Sequence, residues 1–175
     1  MKKISFLIAF VALVSCNGGA PTTSTTSITD SSKKEVSYPY PISYSSQFEF
    51  IDPAKGKMVL DIWKDYDSNN LDNAKEKFAD TVTMIFPEFS MMHASRDSII
   101  AAAKSGRGAY TSVVSKVDVV MSVRSTDKKG DWVLIWGDET HTGKNGKTDS
   151  VALHEVWGLN KAGKIEFMQQ YASHK

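Results

Sequence analysis

Residues 132–172 read WVLIWGDETHTGKNGKTDSVALHEVWGLNKAGKIEFMQQYA. Trp, Val, Ile, Leu and Phe fill three runs here, 132–141, 148–159 and 164–172. Such residues suit a pleated, half-buried surface. Asn145-Gly146 separates the first two runs, and residues 160–163 (NKAG) separate the last two. Asn-Gly is a strong short hairpin signal. Upstream, residues 113–124 form a fourth run, divided from the first by the turn-like DKKG at 127–130. The C-terminal half therefore predicts four consecutive antiparallel strands.

Toward the N-terminus the period changes. Asp52-Pro53 has the form of a helix start, with proline in the first turn. Met58, Val59, Ile62, Trp63 and Tyr66 then recur at helical spacing, which predicts an amphipathic helix over 53–67. Asn69-Asn70 breaks it, and Leu71, Ala74 and Phe78 mark one face of a second, short helix. TVTMIF at 81–86 reads as a strand ended by Pro87. Met91, Met92 and His93 fall in an expected loop. Ser95 is an N-cap for a helix over about 96–104, stopped by Gly106 and Gly108. The order of helix, helix, strand, helix and four strands is an α+β plan, with three helices on one face of a curved antiparallel sheet.

The first residues have a different purpose. Lys2 and Lys3 precede the apolar run ISFLIAFVALV at 4–14. That run is too short for a bilayer core of about 30 Å, which needs roughly 20 residues. It ends in Leu13-Val14-Ser15-Cys16, which resembles the lipobox of bacterial lipoproteins. We expect a signal peptide at 1–15 and lipidation of Cys16, the single cysteine, so neither a disulfide nor a thiolate metal cluster is available. Residues 16–47 are rich in Ser, Thr and Pro and read as a tether with a mean reach of roughly 30 Å. The domain then spans 48–175, long enough for a single core. The expected location is the cell envelope, lipid-anchored and facing the periplasm, with the membrane as one partner. Cleavage would remove two of 21 basic residues and none of 20 acidic ones, leaving 19 against 20. That balance offers no basic stripe for nucleic acid.

Two runs carry a family resemblance. WKDYDSNNLDNAKEKFADTVT at 63–83 is similar to the opening helices and first strand of the nuclear transport factor 2-like superfamily. HEVWGLNKAGKIEFMQQY at 154–171 resembles the last hairpin of its SnoaL-like branch. The resemblance implies a cone-shaped sheet whose concave face lines a pocket and whose convex face often forms a homodimer. The superfamily hosts isomerases, dehydratases, cyclases, epoxide hydrolases and members without catalysis, so fold alone leaves the chemistry open. In its ketosteroid isomerases, the oxyanion-hole aspartate corresponds to Glu155. The general base corresponds to Phe86 and the oxyanion tyrosine to Ile62, so that isomerisation is not expected. Tyr66, one turn further on, still has a hydroxyl for the cavity.

A two-residue Asn145-Gly146 turn would set Lys144 against Lys147 and hence Trp136 against Glu155, Asp138 against Leu153, and Leu134 against Trp157. Because side chains alternate along a strand, these six would share a face. Asp138 and Glu155 would be diagonal neighbours within about 7–8 Å. Two carboxylates in an apolar cone do not both ionise cheaply, which would leave an acid beside a base. They are the candidate catalytic pair. Tyr66, Met84, Phe86, Leu134, Trp136, Leu153 and Trp157 are the candidate ligand-binding residues. No two histidines show metal-ligand spacing, and neither a metal nor a cofactor is expected. Three readings stay open. One is a binding module for a small apolar or amphipathic ligand. Another is an enzyme of the cyclase, isomerase or dehydratase kind using Asp138 and Glu155. The third is a structural module with a filled core that dimerises.

Overall fold

The computed structural model describes residues 36–174. The expected signal peptide, Cys16 and most of the tether lie outside the described residues. The folded unit begins at Tyr40. It starts inside the expected tether, because Tyr44 and Ser45 find partners on it. The Trp132 indole donates to Tyr44 Oη at 3.2 Å, and Ser45 Oγ donates to Asp127 at 2.5 Å.

Ten elements follow: β1 (Phe48–Phe50), α1 (Ala54–Asp67), a 3-10 helix (Leu71–Lys77), β2 (Phe78–Ile85), β3 (Met91–Ser95), α2 (Arg96–Arg107), β4 (Tyr110–Ser125), β5 (Asp131–Gly143), β6 (Thr148–Leu159) and β7 (Ile165–His174). The α+β plan, the three helices and the four long C-terminal strands stand as expected. Each helix has a local cause. Asp52 Oδ1 accepts the Ala54 N–H at the head of α1, and Asn69, at φ +55°, turns the chain out of it. Ser95 Oγ accepts the Ser98 N–H to cap α2. That helix runs through Gly106 to a cap at Gly108, one turn beyond the expected end.

All seven strands form one sheet in the order β1-β4-β5-β6-β7-β2-β3. It is mixed, because β2 lies parallel to β7. The expectation of a purely antiparallel sheet missed this pairing, which no turn announces. Met91 to Ser95, expected as loop, is instead an edge strand antiparallel to β2. Phe89, at φ +61°, closes that hairpin by donating its N–H to Phe86.

The order of the strands explains the layers. The chain leaves edge strand β1 through α1 and the 3-10 helix and re-enters the sheet at β2, near the opposite edge. It leaves edge strand β3 through α2 and returns at β4 beside β1. Both helical connections cross one face, the inner face of the curved sheet, since residues of α1, the 3-10 helix and α2 line one space with Leu153, Glu155 and Trp157 of β6. Val59, Ile62, Ile99, Val133, Ile135 and Ile165 fill the space between them and are almost wholly buried. Register shifts near Val117/Val119 and Gly158/Leu159 bend the long strands around this core.

The decisive departure from expectation is at the β5–β6 turn. Gly143 N–H donates to Lys147 O, and Gly146 N–H donates to Gly143 O. Gly146 sits at φ +77°. The loop thus has three residues, Lys144 to Gly146, ending in a left-handed glycine that closes a bulge. It is one residue longer than the Asn-Gly turn. Trp136 pairs with His154, Asp138 with Ala152, and Leu134 with Val156. Ile135, not Trp136, stands opposite Glu155. A shift of one residue exchanges the faces. Leu134, Trp136 and Asp138 move to the outer face, while Glu139 and His141 turn inward.

Candidate functional site

The concave face and the helices enclose a cavity of about 420 Å³. Of the residues expected there, Tyr66, Met84, Phe86, Leu153, Glu155 and Trp157 line it. Leu134, Trp136 and Asp138 do not, for the register reason just given; Trp136 and Asp138 lie instead in a shallow outer depression with His154 and Tyr171. The Asp138–Glu155 pair is therefore not assembled. Glu139, one residue along β5, takes the inward place.

Glu155 lies at 4% exposure on β6, and three donors converge on it. Trp63 of α1 and Trp157, two residues along the same strand, both donate their indole N–H to Oε2, at 2.7 and 2.8 Å. Gln170, its partner across the β6–β7 ladder, donates to Oε1 at 2.7 Å. An indole nitrogen is a donor only, so the two tryptophans engage both acceptor positions of Oε2. Burial raises the Glu155 pKa above the usual glutamate range; the three hydrogen bonds pull the other way and Glu139 adds to the rise. Desolvation is the larger effect, since the donors that reach the carboxylate among the described residues are all neutral.

The second polar region lies on β5. Glu139 Oε1 and His141 Nε2 are 2.5 Å apart. Two residues apart on one strand, they share a face. Burial raises the Glu139 pKa, opposed by the His141 hydrogen bond and charge, with Asp67 adding to the rise and Arg107 opposing it. Tyr110, at the start of β4, stacks on the imidazole with centroids 4.5 Å apart and planes 16° from parallel. The Tyr66 hydroxyl pKa is pushed up to about 12, first by burial and then by the Glu139 charge.

Arg107 holds this region together. Its guanidinium donates to the carbonyls of Tyr66, Asp67 and Tyr110, at 2.9 to 3.0 Å. It thereby satisfies the last carbonyls of α1, which have no partner within the helix, and pins the end of α2 beside them. Asp67 in turn accepts from the Ser115 hydroxyl at 2.8 Å. The rest of the wall is apolar, with Ile62, Leu71, Phe78, Ile99 and Met168 among its residues. The arrangement suits a small apolar body with a polar group, and it sets ionisable groups against a dry wall. Among the described residues, no three His, Cys, Asp or Glu side chains converge as a metal site.

Trp63, Tyr110, Glu139, His141 and Gln170 were missed from the sequence as site residues. Trp63 read as one more apolar position of an amphipathic helix. Glu139 and His141 were assigned outward by the two-residue turn. The signal that would have found them is the shared form of GKNGK at 143–147 and NKAGK at 160–164, each with glycine in fourth place. Gly163, at φ +74°, closes its turn in the same way as Gly146.

No protein-family profile matches the sequence, and no curated protein matches it. Solved structures do resemble it. An NTF2-like protein of unknown function from Exiguobacterium sp. 255-15 superposes with a TM-score of 0.56 at 14% identity, over 66% of this chain and 98% of that one. A protein assigned as a SnoaL-like polyketide cyclase, from Jannaschia sp. CCS1, gives 0.58 at 13% identity, over 70% and 88%. An LEH-like epoxide hydrolase of M. tuberculosis gives 0.56 at 11%, over 68% and 82%. At these identities the likeness is one of fold.

Proposed function

We propose, from the premise that the chain has the nuclear transport factor 2-like fold in its SnoaL-like form, that it is a periplasm-facing envelope lipoprotein. Its lipid anchor is at Cys16, and its domain holds a small apolar or amphipathic ligand in the cone. The observation that carries the ligand reading is the cavity of about 420 Å³, walled by aromatic, aliphatic and methionine side chains with two separate polar regions. Its size is in the range of small-molecule sites. A filled core would have closed that space. The anchor is supported by the apolar run at 4–14 that ends in Ser15-Cys16.

Calorimetric titration of the full chain with small ring compounds that bear one polar group, such as indole, 2-naphthol and a cyclic enone, tests the ligand reading. Saturable one-to-one binding, with members of the set competing, is the expected result. Failure of every member to bind overturns it. The anchor is tested separately by incorporation of labelled palmitate in a bacterial host. Cys16→Ala should abolish the label and move the protein to the soluble fraction.

A homodimer belongs to the same reading. Val114, Val119 and Tyr171 leave apolar surface in water on the outer face, beside Trp136. Sedimentation of the full chain in detergent should give twice the protomer mass. Val114→Lys should return it to the monomer.

A further inference from the structure

The outer face of the sheet carries a row of rings that the cavity does not use. Trp136, His154 and Tyr171 stand opposite one another on β5, β6 and β7. Ring centroids are 5.1 Å apart from Trp136 to His154 and 6.0 Å from His154 to Tyr171. Phe89 extends the row, 6.4 Å from Tyr171 with the two planes 79° apart. Its backbone is left-handed at φ +61°, a costly setting for a bulky side chain. The middle of the row carries a cost as well. His154 Nε2 is buried and hydrogen-bonds to no described group. An aliphatic side chain would avoid that penalty, so what the histidine contributes there is the face of a ring.

Two residues along each strand the surface changes character. Asp138, Ala152 and Ser173 lie opposite one another, and alternation puts them on the same face as the rings. Ala152 and Ser173 are small, which leaves a hollow between the rings and the Asp138 carboxylate. Asp118 reaches the same hollow from β4. It is the extra residue of the bulge between Val117 and Val119, and such a bulge re-aims its side chain. The lining holds these two acids and no lysine or arginine among the described residues. Lys116 Nζ, 2.6 Å from Asp118 on an exposed side chain, offsets one of the two charges from outside the hollow.

We propose that this hollow is a binding site for a small organic ammonium cation. The faces of the rings attract the cation through their quadrupoles. Asp138 and Asp118 supply the opposite charge, and the small side chains beside them make room for the alkyl groups. An alkylated ammonium is weakly hydrated and gives up its water readily, which a sodium ion does not. The site uses no residue of α1 or α2 and no group of the inner polar regions, so it stands whether or not the cavity holds a ligand. Tyr171 also belongs to the surface proposed for the dimer, so a bound cation and a second copy exclude one another there.

Choline is the probe, and 3,3-dimethylbutan-1-ol is its neutral counterpart, of the same shape without the charge. Calorimetry at constant ionic strength is run on the native full chain and on full-length Val114→Lys, so that pairing of copies cannot hide the site. The expected result is saturable one-to-one binding of choline with a Kd in the millimolar range, and binding of the neutral alcohol weaker by about tenfold or more. Trp136→Leu and Asp138→Asn should each weaken choline by about tenfold. Saturating 2-naphthol should leave choline binding unchanged. If choline binds neither chain, binds no better than the alcohol, or is displaced by 2-naphthol, the site is overturned. Native affinity in both Trp136→Leu and Asp138→Asn overturns it equally. Should Trp136→Leu lose its cooperative thermal transition, the comparison of choline with the alcohol still decides.

Discussion

Glu155 concentrates the energetic tension of the molecule in one side chain. Its folded pKa is raised, so the folded protein binds its proton more tightly than the unfolded chain does. This contribution is complete below the ordinary value of 4.5 and is lost as pH rises through the raised folded value. Glu139 works in the same direction. Glu155→Gln keeps an oxygen for the two indole donors and removes the titration. Its melting temperature should therefore gain on the native protein between pH 4 and pH 8, and a gap that narrows instead would contradict burial as the dominant effect. Glu155→Ala leaves both indole N–H groups without their acceptor and opens a void, so it should cost about 3 kcal/mol in urea denaturation.

Glu155 was singled out in the sequence by strand alternation and by resemblance, as an acid on the last hairpin, and it does line the cavity. Its partners were not. Two tryptophans and a glutamine meet there from α1, β6 and β7. Local periodicity reports only that a tryptophan is buried, not what its N–H finds.

At the scale of elements, β5 carries the geometry of the site. Gly137 stands opposite the shift in β4, and a methyl group there would lie 2.4 Å from the Lys116 carbonyl and 3.2 Å from the Trp63 ring. The absent side chain lets β4 approach and lets the indole lie across the floor of the sheet. Gly137→Ala should cost about 2 kcal/mol through overpacking. It should also disturb the Trp63–Glu155 hydrogen bond, visible as a changed tryptophan emission in the folded protein. A variant with native stability and native emission would refute this account of the bend.

Arg107 makes a parallel case in α2. It is 6% exposed, and all three of its recorded bonds go to backbone carbonyls. Arg107→Lys keeps the charge but not the planar fork, so at least one carbonyl loses its donor; about 2 kcal/mol of stability should go with it. From the sequence this arginine was one more charge near a helix end. The long strands were readable because strand periodicity is local, whereas the short edge strands β1 and β3 were not. Register was misread because one residue in a turn reverses every face, and Asn145-Gly146 fits both a two-residue loop and the end of a three-residue one.

For the whole molecule, the cavity follows from topology. Two connections must cross the sheet, and with α2 bringing Ala102, Ala103 and Gly106 to the wall, small residues leave space where larger ones would fill it. Ala103→Leu should hold or raise the melting temperature while weakening binding of the ring compounds by tenfold or more, as read by calorimetry. Lost stability with unchanged binding would mean that the ligand sits elsewhere.

The kind and order of the long elements and the α+β class were available from residue patterns, since capping and periodicity act over a few neighbours. The parallel β2–β7 contact and the Trp63 and Gln170 donors on Glu155 depend on residues far apart in the chain. Such contacts are selected by packing all layers at once. A side chain's alternation along a strand is dictated locally, but which of the two faces becomes the inside is set by a loop geometry that the whole sheet must accommodate.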